Sequence, residues 1–156
     1  MDIDLDRIDK HILRLMQQNG RISNLELADQ VGLSPTPCAR RVKRLEEAGL
    51  IIGHATLLDP KSLGLNLTAI VGIAMDRHTP DRFESFEKAI VKMPEVIECS
   101  IVTGQAADFL VKVVVRDMEH YEKFLLGYLT RLEGVTGVHS SFVLRDLVKK
   151  TALPLE

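Results

Sequence analysis

The sequence predicts an α+β protein in which a helical N-terminal third is followed by a βαββαβ arrangement. Apolar residues recur at helical spacing through the first 50 residues, and capping residues and glycines separate the repeats. From residue 65 onward, β-rich apolar runs alternate with two helical patterns. These observations predict a helical domain at residues 1–50, a hairpin linker at 51–64 and a sheet domain at 65–156.

The composition is that of a globular protein. The chain has 156 residues, 46% of them hydrophobic, and no apolar run approaches the roughly 18 residues of a membrane span. The acidic start, MDIDLDRIDK, differs from a signal peptide, so a cytoplasmic location is expected. Cys38 and Cys99 fall in different predicted elements, which argues against a disulfide, and the histidines show no metal-ligand spacing. Because no catalytic or cofactor motif is present, the sequence predicts neither an enzyme nor a cofactor.

Two helices are predicted before residue 33. The first has Asp4 as its N-cap, ends at Asn19-Gly20 and buries an apolar stripe of Leu5, Ile8, Ile12, Leu15 and Met16. The second begins with a capping box at Ser23 and Glu26 and ends at Gly32. Its predicted apolar side consists of Leu25, Ala28 and Val31.

A third helix begins at Ser34-Pro35, a typical N-cap followed by proline at the first helical position. Its packed face contains Cys38, Val42 and Leu45, and its polar face contains Thr36, Arg40, Arg41, Lys43 and Arg44. A short helix, a glycine-containing turn and a cationic helix in this order predict a helix-turn-helix that binds double-stranded DNA. Thr36 and Arg40 are then candidates for base contacts, and Arg41, Lys43 and Arg44 for phosphate contacts. The alternative is a small helical bundle with a solvated face.

After Gly49, the run LIIGHATLLDP predicts a short hairpin or wing. The following strands are expected at 66–76, 96–103, 109–117 and 138–148, with helices beginning at Thr79-Pro80 and at Asp117. This order is that of a ferredoxin-like fold, which has both helices on one face of an antiparallel sheet.

The other face of such a sheet is left uncovered, although the first and third of its strands are apolar on nearly every residue. This favours a homodimer that packs sheet against sheet, and a monomer with an apolar sheet is the alternative. Phe109 and Phe142 are expected in the core.

The link between the two middle strands is the polar exception in this domain. It consists of Thr103, Gly104, Gln105, Ala106, Ala107 and Asp108. Backbone donors near the glycine and the Asp108 carboxylate could hold a small zwitterion, although a plain hairpin turn also uses glycine and aspartate.

The chain resembles the leucine-responsive regulatory protein and asparagine-regulator (Lrp/AsnC) family of transcription regulators. The stretches that carry the resemblance are LDRIDKHILRLMQQNGRISNLELADQVGLSPTPCARRVKRLEEAGLI, VTGQAADFLVKVVVRDMEHYEKF and SSFVLRDLVKKTALPL. The resemblance implies a DNA-binding domain, an effector-binding domain, dimers and commonly an octamer of four dimers. It also implies that an amino acid such as leucine or methionine binds near the loop from Gly104 to Asp108.

The resemblance also assigns residues. Those that match the family's recognition helix are Ser34, Pro35, Thr36, Pro37, Cys38, Arg40, Arg41 and Arg44. Gly104 and Asp108 match the ends of the effector loop, where this chain has one more residue than is common in the family. That departure keeps open an alternative function, an effector-insensitive architectural protein that bends or wraps DNA. A ferredoxin-like enzyme acting on a small metabolite is the second alternative.

Overall fold

The computed structural model describes residues 4–104 and 106–155, and the chain divides into two compact units. The helical unit contains the described residues up to Leu57 together with those from Leu147 onward. The sheet unit runs from Leu58 to Asp146. The sequence-based boundaries place residues 147–155 in the sheet domain, whereas in the structure they pack with the helices.

Three helices form the first unit: α1 (Arg7–Gln18), α2 (Asn24–Val31) and α3 (Pro35–Glu47). The capping box that joins Ser23 and Glu26 is present, and Gly32 ends α2 with a left-handed φ of 70°. The cap of α1 differs from the prediction. Asp6, not Asp4, is the N-cap, because its carboxylate accepts a 2.8 Å hydrogen bond from the backbone N–H of Asp9.

The core of the helical unit contains residues from all three helices: Ile12, Leu13, Leu27, Ala28, Cys38 and Leu45. Leu25 was expected on the packed side of α2 but is 69% exposed, and Leu27 is buried instead. The reason is that Leu27, Ala28 and Val31 lie on the side of α2 that joins the core, while Leu25, two residues before Leu27, points to nearly the opposite side of the helix.

The hairpin predicted after α3 does not form within the described chain. Residues 52–59 have no regular secondary structure and belong to no strand pair, and a 3₁₀-helical turn, Lys61–Leu63, follows them. A hairpin needs two paired antiparallel segments, and none pair at this position of the described chain. Among the helices of the described residues, none combines the length and apolar character needed to cross a membrane.

The sheet unit has the predicted βαββαβ order. Its elements are β1 (Leu67–Met75), α4 (Pro80–Ile90), β2 (Val96–Ile101), β3 (Phe109–Val115), α5 (Met118–Gly127) and β4 (Val135–Phe142). The strands lie in the order β2-β3-β1-β4, and every neighbouring pair is antiparallel. The fourth strand runs from Val135 to Phe142 rather than over 138–148. Beyond it, the Val143 N–H donates to the carbonyl oxygen of Thr68 at 2.9 Å, next to the first residue of β1.

Both helices of this unit pack on one face of the sheet. The core contains alternate residues of the two central strands, and Phe86, Ile90, Tyr121 and Phe124 reach it from α4 and α5. Phe109 is buried as expected, but Phe142 is 36% exposed. On α5, Tyr121 and Phe124 are buried, whereas Met118 and the C-cap residue Tyr128 are more than half exposed.

Residues 147–155 form a C-terminal tail that binds α1. The side-chain amide of Gln17 donates to the carbonyl oxygen of Leu153 at 3.2 Å and accepts from the Leu153 N–H at 2.6 Å. The Arg14 guanidinium donates to the carbonyl oxygen of Leu155 at 3.2 and 3.3 Å, and Leu155 packs against the helical core. The helical unit is therefore built from two separate stretches of the chain.

Candidate DNA-binding and effector sites

The start of α3 is held against α2, so that the two helices form a helix-turn-helix. The side-chain amide of Asn24, at the start of α2, donates to the carbonyl oxygen of Pro35 at 2.9 Å. Thr36 and Arg40, the predicted base-contacting residues, are exposed and line a shallow depression together with Asn24 and Lys43. An exposed helix start with a hydroxyl and two cations, Thr36, Arg40 and Lys43, is the arrangement expected of a helix that enters the major groove of DNA.

The opposite side of α3 packs into the helical core. Cys38 and Leu45 are fully buried there, and Val42 is half-buried. Cys38 was included among the predicted DNA-contacting residues, but its burial assigns it to packing, and burial raises the pKa of its thiol. Ser34 and Pro35 are exposed at the helix start, and their neighbour Pro37 is half-buried.

Two of the predicted phosphate-contacting arginines form ion pairs within the helical unit. Arg41 Nη1 lies 2.6 Å from a carboxylate oxygen of Asp6 and 2.8 Å from one of Asp9. Arg44 Nη2 binds the other carboxylate oxygen of Asp9. Lys43 extends into solvent, where its Nζ lies 3.6 Å from Glu47, a pair that contributes little on an exposed helix. Of the polar face of α3, Arg40 and Lys43 are the cations that project outward.

The role of Asp9 was missed by sequence reasoning. Its side chain is fully buried, and it is the one buried polar or charged residue in the described part of the chain. One signal was available: Asp9 lies between Ile8 and Ile12, at the edge of the apolar stripe of α1. An acidic residue at such a position needs a cationic partner from another element, but the sequence does not say which one.

The candidate effector loop connects β2 and β3. Gly104 has a left-handed φ of 82°, which favours glycine, whereas Gln105 lies outside the described residues. Thr103 and Ala106 are exposed. Ala107 lies over β1, where a Cβ placed on Gly72 would stand 3.1 Å from the Ala107 Cβ. Gly72 therefore allows the loop to lie close to the strand.

Asp108, at the end of this loop, already has partners in the structure. One of its carboxylate oxygens accepts a 2.7 Å hydrogen bond from the backbone N–H of Met75. The other lies 2.7 Å from Nε2 of His78. His78 is 71% exposed, and the Asp108 side chain 21%. The carboxylate is thus fixed in direction by the backbone of β1, and its other oxygen is bound by an exposed imidazole. His78 was not predicted, since 30 positions separate it from Asp108 and nothing in its local pattern marks it.

The chain matches two known families. Residues 5–52 match the winged helix-turn-helix DNA-binding family, and residues 68–153 match the Lrp/AsnC ligand-binding domain. The leucine-responsive regulatory proteins of Escherichia coli strain K12 and Klebsiella pneumoniae are each 44% identical to it over 153 residues. These alignments cover 98% of this chain and 93% of each relative.

Solved structures give the same result. A transcriptional regulator from Neisseria meningitidis, in complex with L-Met, superposes with a TM-score of 0.92 at 40% identity, and the match covers 97% of both chains. AsnC from E. coli superposes with a TM-score of 0.88 at 26% identity over 97% of this chain and all of that one. The expected fold class is thereby confirmed.

The capping interaction of Asp6 predicts how the helical unit responds to acid. The hydrogen bond from the Asp9 N–H, followed by that from Arg41, lowers the pKa of the Asp6 carboxyl from 3.8 to about 2. A lowered folded-state pKa means that ionised Asp6 stabilises the fold above pH 3.8 and that this contribution is lost as the pH falls toward 2.

Asp6→Asn keeps an acceptor for the cap but removes the charge. We expect its urea midpoint to lie below that of the wild type at neutral pH, and the difference to shrink through the window from 3.8 to about 2. Asp29→Asn, an exposed carboxylate of α2, is the control. A wild-type-minus-variant difference that stays constant through this window would contradict the assignment.

Proposed function

The chain belongs to the Lrp/AsnC family of transcription regulators, and we propose that its α3 contacts double-stranded DNA while a small amino acid binds near the loop from Gly104 to Asp108. The family regulates transcription and is not enzymatic, which sets aside the alternative of a metabolic enzyme. The observation that carries the proposal is the exposed start of α3, which presents Thr36 and Arg40, while Cys38 and Leu45 on the opposite face are fully buried.

In the DNA complex, Thr36 and Arg40 contact base edges, and Lys43 contacts the phosphate backbone. The helix N-terminus at Ser34 and Pro35 adds a partial positive charge on the same side, which suits a nearby phosphate. Arg41 and Arg44 are better placed to hold α3 in position than to bind DNA, because Asp6 and Asp9 already accept their hydrogen bonds. This revises the sequence-based division of labour for these two arginines.

The effector proposal is supported by the domain match and by the L-Met complex of the Neisseria relative. In this chain the Asp108 carboxylate would bind the ammonium group of the amino acid, and backbone N–H groups of residues 103–107 would bind its carboxylate. The small side chains of Ala106 and Ala107 favour an effector with an apolar side chain of moderate size, such as methionine or leucine. The ammonium would compete with His78 for the same oxygen of Asp108.

Assembly is proposed to use the face of the sheet that no helix covers. On β3 the buried residues alternate with Leu110, Lys112 and Val114, which are half-buried on that opposite face. Ile70 of β1 pairs with Lys112 and adds to the same apolar surface. A second copy that packs on this face gives a homodimer with two recognition helices, and further dimers give the octamer implied by the resemblance. A cytoplasmic location is proposed as well, because it fits the proposed DNA-binding role.

An effector-insensitive architectural protein is the second candidate function. The observation in its favour is that both carboxylate oxygens of Asp108 already have partners, one the Met75 N–H and the other His78. Such a protein would keep the helix-turn-helix and the assembly but would not respond to any amino acid.

The DNA contact is tested with a duplex selected by the wild-type protein from a random library. Arg40→Ala should weaken binding in fluorescence anisotropy while the oligomer stays intact. If Arg40 reads a base, the preference at that base should relax; if it binds a phosphate, the slope of log K against log salt should flatten by about one. Arg21→Ala, an exposed arginine outside α3, is the matched control. Unchanged affinity for Arg40→Ala would rule out this role of the residue.

The effector site is tested by thermal stabilisation. Millimolar methionine or leucine should raise the Tm of the wild type, because a ligand that binds the native state alone stabilises it. Asp108→Asn should abolish the shift, since the amide can still accept from the Met75 N–H but cannot neutralise an ammonium group. Glu84→Gln, an exposed acidic residue of α4, should retain it. If no amino acid shifts the wild-type Tm, the architectural alternative is favoured.

The proposed dimer face is tested with Leu110→Asp, which introduces a charge among the half-buried residues of β3. Sedimentation should show that this variant no longer forms the dimer, because packing a second copy on this face would remove the new carboxylate from water. Val91→Asp is the matched control, as Val91 is 76% exposed at the end of α4 and away from that face. A dimer that persists in Leu110→Asp would place the interface elsewhere.

A further inference from the structure

A cluster of four charged side chains joins α1 and its N-cap to α3; it consists of Asp6, Asp9, Arg41 and Arg44. Asp9 is fully buried on α1, and its neighbour Asp6 is half-exposed at the helix cap. Both carboxylates meet arginines of α3, which lie 32 to 35 positions further along the chain. The two acidic and two basic side chains neutralise each other.

Each arginine is held by a charge-assisted hydrogen bond. Arg41 Nη1 donates to Asp6 at 2.6 Å and to Asp9 at 2.8 Å, and Arg44 Nη2 donates to the second oxygen of Asp9. Such bonds are among the strongest in proteins and use donors that would otherwise be available to a phosphate. Their side chains are nevertheless not enclosed: Arg41 is 28% exposed and Arg44 49%. Without Asp9, Arg44 would therefore be able to turn outward.

We propose that Asp9 is a positioning residue that keeps Arg41 and Arg44 away from DNA phosphates and thereby increases the sequence discrimination of α3. Contacts to phosphates add affinity for any sequence, whereas contacts to base edges distinguish sequences. A recognition helix with four outward cations would bind DNA of every sequence more tightly. With Arg41 and Arg44 neutralised, Arg40 and Lys43 remain as its outward cations, so base contacts account for a larger share of the binding free energy.

The inference rests on the proposed DNA contact through α3, but the quantity it predicts is the salt dependence of DNA binding in variants of Asp9. A residue with only a structural role would lower the Tm when replaced and leave the salt dependence of DNA binding unaltered in the folded protein. A residue that restrains cations changes the number of ions released on binding, which is the quantity that the salt slope measures.

The experiment measures the affinity of Asp9→Asn for a random-sequence duplex and for the selected duplex over a range of salt concentrations. For the random duplex, the slope of log K against log salt should steepen by about one for each released arginine that reaches a phosphate. The ratio of selected to random affinity should fall. Asp6→Asn is the matched control, because Arg41 then keeps its bond to Asp9, and its slope should equal that of the wild type.

The steeper salt slope of Asp9→Asn should require Arg41 and Arg44. When Asp9→Asn is combined with Arg41→Gln and Arg44→Gln, the slope should be the same as for the two arginine substitutions alone. A wild-type slope for folded Asp9→Asn would overturn the proposal, and so would a steeper slope that persists without the two arginines.

A measurement on the wild-type protein tests the proposed role of Asp9 even if Asp9→Asn does not fold. The arginine Nε–H resonances can be followed by NMR while the selected duplex is added. Those of Arg40 should shift, and those of Arg41 and Arg44 should stay in place. Shifts of Arg41 or Arg44 comparable to that of Arg40 would overturn the inference. If none of the three moves, although the duplex binds, the proposed contact through α3 fails instead.

Discussion

The buried carboxylate of Asp9 constrains the whole helical unit. An ionised group removed from water costs several kcal/mol unless it is paired and fully hydrogen-bonded, so the unit folds only in an arrangement that brings counter-charges to this point. Both counter-charges come from α3. Two sets of contacts therefore fix how α3 is turned about its axis. Cys38 and Leu45 are buried on one side, and the arginines bind the carboxylates on another. As a result, the start of the helix presents Thr36 and Arg40 outward.

The sheet unit applies a different constraint, since its helices cover one face of the sheet only. Alternation along β3 divides its residues cleanly between the core and the opposite face. The loop that precedes β3 ends at Asp108, whose direction is fixed by the N–H of Met75 on the neighbouring strand β1. The candidate effector residue is thus attached to the same strands that form the uncovered face. Ligand binding and assembly would share one rigid framework.

Local sequence patterns predicted the elements well, because periodicity and capping act over a few residues. The capping box at Ser23, the turn at Gly32 and the order of strands and helices are all local in this sense. The residue pairs that define the candidate sites and the tail contact are not local. Asp9 with Arg44, His78 with Asp108 and Gln17 with Leu153 each join residues 30 or more positions apart, and single-sequence patterns carry no information on such pairings. The hairpin predicted after Gly49 likewise depends on a pairing partner that local sequence cannot supply, and the described residues show no strand pair there.

The tail bound to α1 has a consequence for biosynthesis. Leu155 follows the sheet unit in the sequence, so the ribosome makes the four strands of that unit before the residue that packs last against the helical core. During translation α1 would emerge early and present an unfilled apolar surface, with Gln17 still bonded to water instead of to Leu153. The DNA-binding unit would therefore finish folding after the domain proposed to control it. A nascent chain released before the tail would lack this last contact, so stable DNA-binding units would come from chains that also contain the sheet domain.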